Sequence, residues 1–150
     1  MKKRPYGNED KTEKSCGAVL YKMVEGRPQY VLVSGAVFGF PKGHVEGDES
    51  ELETASREVF EETGVKADFD TDFRRLVVYR SPRFVNGKKN VVFFLAECPP
   101  DQEPSPENEI KVLVMKPYYE ALRLLRLDTL KQVLIEANAY IRKKNRKTKQ

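Results

Sequence analysis

Cysteine is nearly missing from this 150-residue chain, which holds only Cys16 and Cys98, and tryptophan is missing altogether. Two distant thiols exclude a disulfide-stapled secreted scaffold and the closely spaced cysteine knuckles of structural zinc sites; both are expected to be buried and reduced. Long apolar runs are lacking too. No window approaches the roughly 18 consecutive apolar residues of a spanning helix. The basic start MKKRPYGNEDKTEK has no apolar stretch behind it, so neither an anchor nor a signal peptide is expected, and the expected location is the cytoplasm. Charge of one sign is confined to the end of the chain. The formal net charge is +4, but six bases and no acid follow Ile141 (Arg142, Lys143, Lys144, Arg146, Lys147, Lys149), which leaves residues 1–140 at −2. A nucleic-acid-binding surface spread over the whole molecule is thereby excluded.

What is present suffices for one domain with a single core: 39% of residues are hydrophobic, and no repeats interrupt the pattern. Residues 1–14 are polar and expected to be loose. CGAVLYKM and PQYVLVS read as two strands joined by a turn at Gly26–Pro28. GAVFGFPKG is a glycine-punctuated loop or edge strand. RRLVVYRSPRFVNGKKNVVFFLAE carries Asn86-Gly87 between β-rich flanks, a hairpin signal. CPPDQEPSPENE is a proline-rich connector, IKVLVM a last strand, and 118–140 one or two helices with apolar positions at Leu122, Leu125, Leu130, Val133, Leu134 and Ala137. The domain therefore spans 15–141, and 142–150 reads as a basic, disordered tail without an apolar face.

The most informative stretch is GHVEGDESELETASREVFEETGV, residues 43–65, with eight acids in twenty-three positions. Ser50 and Glu53 form a capping-box pair, Leu52, Ala55, Val59 and Phe60 recur at helical spacing, and Gly64 stands where a left-handed terminator is wanted, which predicts a helix over 51–63. On that helix Glu58 and Glu62 lie nearly in line, Glu61 flanks them, and Glu51 falls two turns back. Like charges at such spacings repel. A solvated acidic face balanced by Lys and Arg is one reading; oxygen ligands for Mg²⁺ or Mn²⁺ on a rigid element is the other.

The spacing of nine residues, Gly43, Glu49, Arg57, Glu58, Val59, Glu61, Glu62, Gly64 and Val65, resembles the signature box of the Nudix hydrolases, with every gap the right length. The resemblance implies a Nudix fold, an α/β/α sandwich with a mixed β-sheet. It implies that Glu58, Glu61 and Glu62, with the Gly43 carbonyl, hold the metal, and that Glu49 and Arg57 pair to brace the loop against the helix. Gly64 would end the helix and Val65 reach the core. The shared chemistry of the family is metal-assisted hydrolysis of a nucleoside diphosphate linked to another moiety.

FPKGHVEGDE, KKNVVFFLAE and EIKVLVMKPYYEALRLL further resemble the branch that cleaves diadenosine tetraphosphate asymmetrically. The chain departs from that branch at Phe38 and Met115, where Trp is usual, and at Val112, where a second acid is usual. Phe38 can still stack on a base. Lys42, Lys88 and Lys89 are candidate contacts to a polyphosphate, with Arg80 and Arg83 weaker ones. Tyr79, Phe84 and Tyr118 either stack an adenine or belong to the core. His44, the only histidine, either contacts phosphate or moves a proton, or braces its loop. The resemblance places a catalytic base at Glu109, with Glu107 and Glu97 as alternatives. Removal of pyrophosphate from RNA 5′ ends, with the basic tail attracting RNA, and nucleoside triphosphate pyrophosphohydrolysis are the alternative activities. A nucleotide-binding regulator on the same fold would have lost box glutamates, and all are present.

Overall fold

The computed structural model describes residues 13–108 and 111–148. In chain order the elements are β1 (Glu13–Val24), β2 (Arg27–Ser34), β3 (Phe38–Gly39), β4 (Lys42–His44), α1 (Glu51–Thr63), β5 (Asp68–Arg80), β6 (Lys88–Glu97), β7 (Val112–Pro117), α2 (Tyr118–Leu124) and α3 (Asp128–Thr148). The strands form one mixed sheet in the order β3-β2-β1-β6-β5, with β4 added to β1 and β7 to β2. Only β1 and β6 run parallel among these pairs.

Alternation along the central strands sorts the core into two layers. From β1, Ala18 and Leu20 join Val31, Val59, Val65 and Ala96 on the α1 side, while Val19 and Tyr21 join Tyr30, Phe93, Leu95, Leu134 and Ile141 on the side covered by α2 and α3. The result is an α/β/α sandwich with a mixed sheet, the architecture the sequence implied. Both cysteines are buried and free, and burial pushes the Cys16 thiol up to about 11. No helix among the described residues is long and apolar enough to cross a membrane.

Several elements differ in detail from the sequence reading. The β1–β2 turn sits at Glu25–Gly26, both at positive φ (52° and 79°), and Arg27 and Pro28 already pair with Val24 and Met23. Two left-handed residues in succession match the twist of a hairpin, which sets the turn one residue earlier than the proline suggests. Helix α1 buries Thr54, Ala55, Val59 and Thr63, whereas Leu52 and Phe60 stay 41% and 47% exposed. At about 100° per residue Phe60 points about 140° away from Ala55, off the face that meets the sheet. The segment beginning at Arg142 is not a disordered tail as far as Thr148, because α3 continues through it. Ile141 is buried beneath it, and Lys144 and Tyr140 both donate to Asp70 at 3.1 and 2.9 Å.

The placement of the candidate site follows from how β1 divides its edge. Its first half, Ser15–Gly17, pairs with β4, and its second half, Leu20–Val24, pairs with β2. Between them the loop before β4 is drawn onto the strand, with Ala18 N donating to Pro41 O at 3.2 Å. Gly17 makes this approach feasible: a Cβ there would collide with the Pro41 carbonyl and the Lys42 backbone.

Candidate active site

Helix α1 is positioned by its own termini. Ser50 Oγ accepts from Glu53 N at 3.1 Å, Glu53 returns the contact to Ser50 N at 2.8 Å, and Gly64 ends the helix at φ 74°, its N–H donating to Phe60 O. At the start of the helix Glu51 is not part of a carboxylate cluster. It accepts from Lys14 at 2.8 Å and from Arg74 at 2.9 and 2.8 Å, clamping α1 to β1 and β5. Arg74 foremost, with Lys14, holds its carboxyl down to about 2. A carboxyl depressed in the folded state contributes stability above about pH 4.5 that is lost as pH falls toward 2. Urea midpoints of the chain and of Glu51→Gln should therefore differ near neutrality and converge in acid. A difference that ignores pH would contradict the clamp.

Arg57 organises the middle of the helix. Its Nε and Nη2 fork onto Glu49 at 2.7 and 3.0 Å, Nη2 also donates to the His44 carbonyl at 3.0 Å, and Nη1 reaches Glu58 at 2.9 Å and Glu61 at 3.3 Å. One guanidinium thus ties the loop after β4 to the acidic face of α1. Glu49 is held down to about 2, by Arg57 foremost.

Gly43 lies against Glu58 so closely that a Cβ would fall on the carboxylate. On the other side Glu62 meets Glu58. Burial first, and then the Glu58 charge, push Glu62 up to about 7, against the pull of Lys111 and Lys42. Among the described residues no three His, Cys, Asp or Glu side chains stand together as a ready metal site, and the Glu61 carboxylate is in contact with Arg57. The donors nevertheless fit a hard divalent cation in kind: the Glu58 carboxylate crowds the Gly43 backbone and meets the Glu62 carboxylate, and an ion between the two would offset their repulsion.

Beside Glu62 opens a cavity of about 620 Å³. Its lining mixes aromatic rings, Phe38, Phe40, Tyr79 and Phe84, with bases, Lys42, Lys89 and Lys111 together with Arg80 and Arg83. Lys42 and Lys89 approach within hydrogen-bonding range, and burial first, then the Lys89 charge, lowers the Lys42 ammonium below its ordinary value. Arg83 stacks over Phe84 at 5.4 Å. The cavity is shaped for a planar ring attached to a string of anions.

Of the substrate candidates, Phe38, Lys42 and Lys89 line this cavity. Lys88 is not among its lining residues. His44 is not among the lining residues either; it pairs opposite Ser15 and contacts Glu13 at 3.4 Å, which is a loop-bracing position. Tyr118 packs on the core layer under α2 and lines a different cavity. Glu109 lies outside the described residues. The sequence reading missed Lys111 because an isolated lysine before a strand carries no local signal; Arg80 and Arg83 gain weight from lining the same cavity.

The NUDIX domain model matches residues 14–142. The chain belongs to the Nudix family. The same fold recurs in a binary complex of the C. elegans Ap4A hydrolase, 20% identical, with a TM-score of 0.78 over 87% of this chain and 98% of that one. It recurs in the NUDIX domain of Shewanella oneidensis NrtR complexed with ADP ribose (18% identity, TM-score 0.65, 87% and 88% covered). It is found again in the E. coli dihydroneopterin triphosphate pyrophosphohydrolase (15%, 0.67, 85% and 95%). A search of curated proteins found no match. Nudix hydrolases generally use divalent metal ions, and the acidic face of α1 is the part of this Nudix domain whose chemistry suits one.

Proposed function

We propose that the chain hydrolyses a phosphoanhydride bond in dinucleoside polyphosphates, splitting diadenosine tetraphosphate into ATP and AMP, with Mg²⁺ as the cation and Mn²⁺ able to replace it. The observation that carries this reading is the cavity beside Glu62, whose lining combines four aromatic rings with five basic side chains. The likeness in fold to the C. elegans Ap4A hydrolase supports it.

Lys42, Lys89 and Lys111 neutralise the phosphate chain as point charges, and the Arg80 and Arg83 guanidiniums fork onto its oxygens. Phe38 and Phe84 present faces to an adenine. Glu58, Glu61 and Glu62, with the Gly43 carbonyl, would hold the divalent cation, whose chemistry when bound is to acidify water and neutralise charge on the leaving phosphate. Arg57 braces this face by fixing the loop through Glu49 and the His44 carbonyl. Glu109, two positions before Lys111, is the proposed acceptor of the proton from the attacking water.

Diadenosine tetraphosphate incubated with the protein and Mg²⁺, its products resolved by chromatography, should give ATP and AMP without ADP, because a fixed run of phosphates is held between the basic side chains and α1. The pentaphosphate should give ATP and ADP. Two ADP from the tetraphosphate would overturn the reading. Absence of cleavage beside rapid pyrophosphate release from RNA 5′ ends would transfer the same site to RNA.

A further inference from the structure

A second cavity, of about 690 Å³, opens at the other end of β2. Arg27 and Pro28 border it at the start of that strand, whereas Val33 and Ser34 border the first cavity at its finish. At about 3.3 Å per residue the two ends lie roughly 20 Å apart, so this is a separate space.

Its lining has a particular chemistry. Arg27, Arg123, Arg142 and Arg146 line it from the start of β2, from α2 and from α3, and Glu120 is the one carboxylate among its lining residues. None of the four guanidiniums makes an ion pair among the described residues. Tyr118 and Tyr119 stand edge to face at 4.9 Å, the first packed on the core and the second 72% exposed. Asn138, nine-tenths buried, accepts through its side-chain oxygen from the Tyr30 hydroxyl at 2.7 Å. Its amino group makes no hydrogen bond among the described residues and remains as a donor at a cavity-lining position.

We propose that this cavity is a second nucleotide site, separate from the proposed catalytic one, that takes a nucleobase with an adjoining phosphate and does not cleave it. Four convergent guanidiniums repel one another unless an anion is shared among them, and a planar fork suits phosphate oxygens. An anion alone would leave Tyr119 without purpose: an exposed ring beside arginines is a stacking surface for a base. The Asn138 amino group can donate to a ring nitrogen or carbonyl of that base. The free nucleotide and one unit of a single-stranded RNA share this chemistry.

Amide shift mapping with AMP in excess chelator, where no turnover occurs, reads the location of binding directly. AMP should move the amides of Gly26, Arg27, Tyr119, Glu120 and Asn145 as a set with one saturation curve. Arg123→Ala with Arg142→Ala, and separately Tyr119→Ala, should each raise the dissociation constant for that set by about tenfold or more. Tyr119→Phe should restore it. These side chains are exposed, so the remaining spectrum and the hydrolysis of small nucleotides should not change. Shifts confined to residues around Lys42 would overturn the proposal, and so would inorganic phosphate that reproduces the AMP set at equal affinity. A pentaadenylate binding no tighter than AMP would identify the free nucleotide as the occupant. Binding about tenfold tighter would identify an RNA strand, and either result supports the site.

Discussion

Glu62→Gln should lower kcat by at least about a hundredfold while leaving the melting temperature unchanged or raised. The side chain is pressed against Glu58 and partly buried, an arrangement in which the charged form is disfavoured. Removing that charge relieves the folded protein. A carboxylate retained at such a position serves something other than stability, and the proposed divalent cation is the partner that turns mutual repulsion into attraction. The measurement pairs initial rates in Mg²⁺ with thermal melts, with and without the metal. Mg²⁺ should raise the melting point of the parent and do so less for the variant. Full activity in the variant, or in the parent under excess chelator, would remove metal-assisted hydrolysis from consideration. Glu109→Gln provides a contrast: if it takes the proton from water, kcat falls and KM holds, without loss of the metal-dependent melting shift.

Gly17→Ala should be the most damaging single-methyl change to stability, at about 3 kcal/mol or more, a drop of roughly 6–12 °C in melting temperature. The added methyl meets the Pro41 carbonyl and the Lys42 backbone, which belong to the chain and cannot rotate aside. Either β4 leaves β1 or the strand bends. In both cases Lys42 and Gly43 move with β4, so turnover should fall together with stability. Gly43→Ala differs, because its methyl meets the end of the Glu58 side chain. Its loss of activity should exceed what its melting point suggests. Calorimetric melts and rates of both variants test the pair, and a Gly17→Ala protein with a parental melting point would refute the close approach.

How far the sequence could be read depends on the range of each signal. The limits of α1 were legible to the residue because Ser50, Glu53 and Gly64 act within one turn of the helix ends. The acidic face was legible for the same reason, since helical periodicity fixes which side chains share a side. The cavity was only half legible. Lys42 and Lys89 are opposed because β4 and β6 both pair with β1, and Lys111 joins them because β7 lies on β2, pairings no local pattern encodes. Tyr118, open in sequence between a stacking and a core role, packs on the core. An aromatic that begins a helix offers no clue to which end of the sheet it will occupy, and β7 delivers it to the end remote from α1. The basic segment from Arg142 has no apolar stripe of its own and so reads as coil. It is helical because Tyr140, Ile141 and Lys144 attach the turn preceding it and its first residues to β5 and the core.

The parallel pairing of β1 with β6 joins residues 76 positions apart, from Glu13 with Lys89 to Tyr21 with Glu97. Hairpins such as β1–β2 and β5–β6 close short loops and need little of the chain to be present, whereas this contact must close about half of it before any stabilisation is returned. During synthesis the β1–β2 pair, α1 and the carboxylates that α1 carries all emerge before β6 exists to seal the sheet beneath them. Until then the inner faces of β1 and α1 have no completed layer to rest on, and Lys89 is missing from the basic side chains beside Glu62. The half-made chain is therefore without the cavity beside Glu62, which is complete only when β6 has docked and the later Lys111, Leu127 and Leu130 have joined its lining.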